Sequence, residues 1–282
     1  MPRGVPNSGY RKTVKRISGV EFGSFEPLQM ESDDEISERI TERFLCLEEL
    51  TNSTISGDSR ALIVSGPPGL GKSYTVESIL QDKNEEEYRI VKGFVRATGL
   101  YRLLYEMRHK NCVIVFDDCD SIFFDDVTLN LLKAACDTTE RRRISWRSET
   151  KMRDDDEDLL PTSFDFEGAV IFITNYDFDK MMQSGHKLSE HLAAMVSRAH
   201  YIDLTLKSKR DFIVRIKQVV KTGMLADRLS TKQVNDCVQF IERNSDRLRE
   251  ISLRMAIKIA TLMKTYPDSW ERIARVTCLK GQ

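Results

Sequence analysis

Short apolar runs alternate with stretches of helical period along most of this chain. "RALIVSG" (60–66) is an apolar run closed by glycine and predicts a buried strand. "KSYTVESIL" (72–80) predicts the helix that follows it. "EYRIVKGFV" (87–95) and "CVIVFDD" (112–118) predict strands, with helices at "GLYRLLYEMRH" (99–109) and "DVTLNLLKAAC" (126–136). "GAVIFITN" (168–175) and "AHYIDLTL" (199–206) are two more strands. Ahead of all these, "ESDDEISERITERFLCLEEL" (31–50) spaces Ile36, Ile40, Phe44 and Leu47 for one helix face, behind an acidic first turn. Strands alternating with helices predict an α/β fold, a parallel sheet with helices on both faces.

The pattern changes after Leu206. "SKRDFIVRIKQVVKTG" opens on Ser208 with Asp211 in a capping relation and closes on Gly223. Phe212, Ile216, Val219 and Val220 line one face. "STKQVNDCVQFIERN" repeats the device with Ser230 and Gln233, "SLRMAIKIATLMK" starts at the cap Ser252, and "DSWERIAR" is a short last helix. Three segments result. Residues 1–30 are a flexible basic N-terminal arm, rich in Gly, Pro and Ser and carrying Arg11, Lys12, Lys15 and Arg16. Residues 31–206 are an α/β domain, and 207–282 a small all-helical domain.

Composition narrows the class. The 282 residues suffice for a substantial core, and 40% hydrophobic with 31% charged residues describe a soluble globular chain. The net charge of −1 favours no nucleic-acid partner in bulk, so such a partner needs a local basic patch. Of the six cysteines, none forms a C-x-x-C pair, and Cys112 and Cys119 flank an apolar strand. Buried free thiols in a reducing compartment are expected. No apolar run nears the ~18 residues of a membrane span, and the N-terminus lacks the apolar region of a secretory signal. The expected location is the cytoplasm, with no membrane partner.

"GPPGLGKS" (66–73) lies between a predicted strand and a predicted helix. It fits G-x-x-x-x-G-K-[ST], a loop whose glycines let backbone N–H groups approach phosphate oxygens at a helix N-terminus. Gly66, Pro67, Pro68, Gly69, Leu70, Gly71, Lys72, Ser73 and Tyr74 form the expected nucleotide-binding loop. Lys72 reaches the β- and γ-phosphates and Ser73 ligates Mg²⁺. "VIVFDD" supplies acids at a strand end: Asp117 to hold Mg²⁺ through water, Asp118 to polarise the attacking water.

With these motifs, the chain from about residue 31 resembles the AAA+ ATPase family, in which an α/β nucleotide domain carries a helical lid. The resemblance implies ATP and Mg²⁺ as cofactors and a homo-oligomeric ring, a hexamer among the options. The family's acidic strand ends in Asp-Glu, and Asp118 is one methylene shorter. "VIFITN" resembles the family's sensor strand, which gives Asn175 a place beside the γ-phosphate. "HLAAMVSRAHYIDL" resembles the segment carrying an arginine finger, which implies Arg198. "ISLRMAIKIA" resembles the lid segment carrying a further arginine, which implies Arg254, with Arg249 as runner-up. Small single-module members of this kind occur among phage-encoded proteins, and this chain resembles them.

The substrate is the open question. "RRRISW" (141–146) and "SFDFEG" (163–168) alternate in strand fashion and predict a β-hairpin inserted before the sensor strand, around the charged run "RDDDED". Arg141, Arg142, Arg143 and Trp146 are candidates to contact a phosphate backbone and stack a base. "KGFVRATG" offers Lys92, Phe94 and Arg96 as a second contact with a nucleic-acid strand or a peptide. The leading expectation is a ring motor or loader acting on nucleic acid, of a replication or recombination type. The alternative is an ATPase that remodels a polypeptide or protein complex.

Overall fold

The computed structural model describes residues 31–147, 152–153, 158–183 and 188–281. The basic arm and the acidic centre of the hairpin run lie outside the described residues. Helix α1 (Asp33–Ile55) leads into β1 (Ala61–Ser65), α2 (Lys72–Leu80), β2 (Tyr88–Lys92), α3 (Ala97–Glu106), β3 (Val113–Asp117) and α4 (Asp126–Ala135). Strands β4 (Arg143–Ser145) and β5 (Ser163–Asp165) come next. They are followed by β6 (Ala169–Thr174), α5 (Phe178–Gln183), α6 (Ser189–Val196) and β7 (His200–Asp203). The C-terminal part is helical: α7 (Lys209–Lys221), α8 (Thr231–Arg243), α9 (Leu253–Thr265) and α10 (Trp270–Cys278). Helix α5, only six residues long, has no counterpart in the sequence-based prediction.

Five strands form one parallel sheet in the order β2-β3-β6-β1-β7. Strands β1, β3 and β6 are buried at every position, which is why their sequences are unbroken apolar runs. Their side chains alternate between two cores. Ile63, Ile114, Phe116, Val170 and Phe172 face α3, α4 and α6. Leu62, Val64, Val113, Val115, Ile171 and Ile173 face α1 and α2. The register sets Ser65 beside Thr174 and Asp117 beside Ile173. The C-terminal ends of β1, β6 and β3 therefore sit side by side, where open α/β sheets bind ligands.

The caps fall where the sequence puts them. Ser230 and Gln233 form a reciprocal capping box, and Ser208 and Ser252 accept from the third backbone N–H of their helices. Each such cap stabilises its helix by about 1 kcal/mol. Ser32 and Glu35 form another capping box, at the start of α1. Helix α7 joins the two parts of the molecule. Its Val214 enters the α1–α2 core, while Ile216 and Val220 enter the separate core of the C-terminal helices.

The hairpin pairs antiparallel, Ile144 against Phe164, and lays its apolar face on the body. Ile144, Phe164 and Phe166 are buried, and Tyr101 of α3 packs against both Trp146 and Phe164. This arrangement corrects the expectation for one of the four side chains offered to a nucleic acid, Arg142. Arg142 is buried, donates to the Ala135 carbonyl at 2.7 Å and lies over the Phe166 ring. Arg141 and Arg143 both pair with Asp165, and Arg141 foremost holds that carboxyl down at about 2. Trp146 spends its ring on Tyr101. The thiols Cys119, Cys136, Cys237 and Cys278 are buried and free, and Cys46 is exposed.

Candidate functional site

The loop from Gly66 to Gly71 leaves the end of β1 with φ of 150° at Gly66, 75° at Gly69 and 100° at Gly71. These are values that favour glycine. At Gly69 there is also no room. A Cβ there would lie 2.7 Å from Ser252 Cβ, because the start of α9 rests on the loop and the Leu253 N–H donates to the Gly69 carbonyl at 2.9 Å. Helix α2 then begins at Lys72, the first residue after Gly71.

Lys72 is buried among acceptors. Its Nζ donates to the carbonyls of Gly66, at 2.5 Å, and Pro67, at 2.9 Å, and to Asn175 Oδ1 at 2.9 Å. A lysine can only donate, so this contact fixes the Asn175 amide and turns its Nδ2 to Asp118 Oδ1, 2.8 Å away. Burial pulls the Lys72 pKa down to about 8. Asp118 and Asp117 oppose the shift, and the Arg254 charge adds to it. Ser73 Oγ donates to Asp117 Oδ1 at 2.8 Å. A serine hydroxyl and a carboxylate side by side are hard oxygen donors of the kind Mg²⁺ takes, so these residues fit the ion.

Asp118 holds a left-handed backbone, φ 54°, a region that aspartate enters more readily than most side chains. Its N–H donates to the Ile173 carbonyl at 3.0 Å, so the turn is tied to β6. Beside it, Asp120 accepts from Thr174 Oγ1 at 2.6 Å, and burial raises its pKa. Lys92, at the end of β2, reaches this site with an exposed side chain. Its Nζ is 2.7 Å from Glu77 Oε1 and 3.3 Å from Asp117 Oδ2. Two residues on, Phe94 is 71% exposed, on the loop between β2 and α3, and Arg96 is exposed beside it.

A cleft of about 1040 Å³ opens over the loop, walled by α1, α7 and the start of α9. Pro68, Gly69, Gly71, Lys72, Ser73, Tyr74, Asp118, Asn175 and Arg254 all line it. Gln218 of α7 closes one end by donating to the Ser37 carbonyl and to the Ser37 and Thr41 hydroxyls. No motif singles out Arg215, yet α7 brings it to the cleft, with its guanidinium 3.4 Å over the Phe44 ring. Arg198 is not in the cleft wall. It follows α6, half-buried, with Nη1 donating to the Ala194 carbonyl at 2.8 Å. Arg249 lies in the segment between α8 and α9, where its N–H donates to the Cys278 carbonyl.

The model of the family described as "ATPase family associated with various cellular activities (AAA)" matches residues 62–183. An uncharacterized 36.7 kDa protein of the nrdC–mobD intergenic region of Enterobacteria phage T4 is 36% identical over 249 residues, 86% of this chain and 76% of that protein. Among solved structures, NtrX from Brucella abortus in complex with ADP aligns at a TM-score of 0.45 and 10% identity, over 86% of this chain and 51% of that one. Its complex with ATP aligns at 0.46 and 11%, over 87% and 53%. The chain thus spans about half the length of these NtrX chains.

Proposed function

Since the chain belongs to the AAA ATPase family, we propose that it binds ATP in the cleft over Gly66–Ser73 and couples its hydrolysis to work on a polymeric substrate. The observation that carries this reading is the Lys72–Asn175–Asp118 chain of hydrogen bonds, with Ser73 and Asp117 beside it. The loop N–H groups and Lys72 hold the phosphates. Asp118 takes a proton from the attacking water, and Asn175 holds the Asp118 carboxylate in place for it. Mg²⁺, held by Ser73 and Asp117, would neutralise charge on the β- and γ-phosphates. Arg254 reaches the same phosphates from the C-terminal helices, which act as a lid. Arg198 serves the site of a neighbouring copy in a ring.

For the substrate, we infer a polypeptide in preference to a nucleic acid. Of the hairpin arginines that would meet a phosphate backbone, Arg142 is buried on the Ala135 carbonyl, and the exposed Arg141 and Arg143 share the Asp165 carboxylate, which offsets their charge. Phe94 is a large apolar side chain left in water at the sheet edge that carries the nucleotide loop. An exposed aromatic grips an apolar side chain of an extended peptide without needing a fixed sequence. Nucleic acid remains the second reading, favoured by Arg96 next to that aromatic.

The discriminating experiment is ATP turnover with single-stranded DNA, duplex DNA, RNA and an unfolded polypeptide, over a range of protein concentrations. Stimulation by polypeptide that disappears in Phe94→Ala supports the reading. Stimulation by nucleic acid alone replaces it with the second.

A further inference from the structure

Among the described residues Arg215 has no carboxylate partner. It comes from the middle of α7 and is half-buried between α1 and the loop. Its one hydrogen bond among the described residues runs from Nε to the Leu70 carbonyl, at 3.3 Å. No carboxylate pairs with it there, and Glu48 acts on it only through its more distant charge. Burial pulls its pKa down to about 10. A guanidinium removed from water without an anion is costly, and arginines so placed serve anions.

Its position says which anion. The Phe44 ring, 3.4 Å beneath, fixes the plane of the guanidinium. The Leu70 carbonyl fixes Nε, which leaves Nη1 and Nη2 as donors. Nη2 lies 3.7 Å from where a Cβ on Gly71 would stand, at the residue from which α2 starts. That helix start and the loop before it are the phosphate cradle.

We propose that Arg215 is a phosphate-binding residue of the nucleotide site, acting within its own subunit from α7 and additional to Arg254. The ligand is a nucleoside di- or triphosphate. The proposal rests on the reading of Gly66–Ser73 as a nucleotide loop. It makes the lid close on the ligand at two points, Arg215 from α7 and Arg254 from α9, with Phe44 as the platform that orients the first.

The test is displacement of a fluorescent ADP by ADP, AMP and adenosine from the full chain, as wild type, Arg215→Met, Arg215→Lys and Lys72→Ala. Met keeps the unbranched apolar stem as far as about the Nε position and removes the guanidinium with its charge and its contact with Phe44. Arg215→Met should weaken ADP by roughly 10- to 100-fold, the size of a charge-assisted contact. It should leave adenosine unchanged, and Arg215→Lys should recover part of the loss. Unchanged ADP affinity in Arg215→Met, or an equal loss for ADP and adenosine, overturns the proposal and leaves Arg215 a packing residue. Failure of the parent reading looks different: Lys72→Ala then binds ADP as the wild type does, or the wild type binds no ADP at all, and the proposal falls with it.

Discussion

The side-chain amide of Asn175 donates to Asp118 Oδ1 at 2.8 Å. The two residues stand at the ends of neighbouring strands, and Asn175 is held in turn by Lys72. One amide thus connects the lysine of the glycine loop with the acid that follows β3.

Asp118→Asn should keep ATP binding and stop hydrolysis, because an amide cannot take the proton. Asp118→Glu decides whether the short acid is optimal. The left-handed turn at Asp118 and its bond to Asn175 set the carboxylate position, and one methylene moves it by more than a catalytic contact tolerates. Turnover of Asp118→Glu should therefore fall below wild type in single-turnover assays. A rise would show that the site was built for the longer acid.

Lys72 gives a pH signature. Its folded pKa, about 8, is below the ordinary lysine value of 10.5, and burial is the main cause. Between those values the unfolded chain holds more of this proton than the folded one, so stability gains from this group as pH rises through the window. Below about 8 the buried charge is a cost. Bound phosphate restores the proton, so nucleotide binding at about pH 9 should take one up. Titration calorimetry in two buffers of different ionisation enthalpy reads that uptake, and an equal binding enthalpy in both buffers would contradict it.

Gly69→Ala should loosen the lid. The new methyl would sit 2.7 Å from Ser252 Cβ at a φ of 75°, so both the loop and the start of α9 must shift. Nucleotide affinity should drop about tenfold or more, with a lower Tm, since backbone strain of this kind costs roughly 1–3 kcal/mol. Wild-type affinity in this variant would show that α9 does not need to rest on the loop.

Much of this was legible in the chain, because it is local. Unbroken apolar runs mark β1, β3 and β6, whose burial is complete, and serine caps mark α7, α8 and α9. The positions of the glycine loop, Asp118 and Asn175, each just after a strand, and of Asp117, which closes β3, were readable for the same reason. What depends on distant partners was not. Arg141 and Arg143 read as free cations, since Asp165 lies more than twenty positions on. Arg215 reads as one more charge on a basic helix until α1 brings Phe44 under it. Lys92 points at Asp117 only because β2 and β3 are adjacent, in a register that pairs those two residues.

Arg198 tests the shared site. Arg198→Ala should lower hydrolysis on the order of 10³-fold without preventing nucleotide binding or assembly, as expected of a charge contact to the transferred group. Mixing Arg198→Ala with Lys72→Ala subunits, each inactive alone, should restore part of the activity. Some mixed interfaces then pair an intact Lys72 with an intact Arg198. No recovery in rings shown to be mixed would place Arg198 outside the active site of its neighbour.

The central claim is that Lys72, Asn175 and Asp118 form the working end of an ATPase. Phosphate release from ATP by the purified wild-type chain with Mg²⁺, run beside Lys72→Ala and Asp118→Asn, tests it most directly. The account predicts turnover in the wild type, none in either variant, and ATP retained by Asp118→Asn alone. Equal turnover in all three, or none in the wild type under any condition of concentration or substrate, would contradict it.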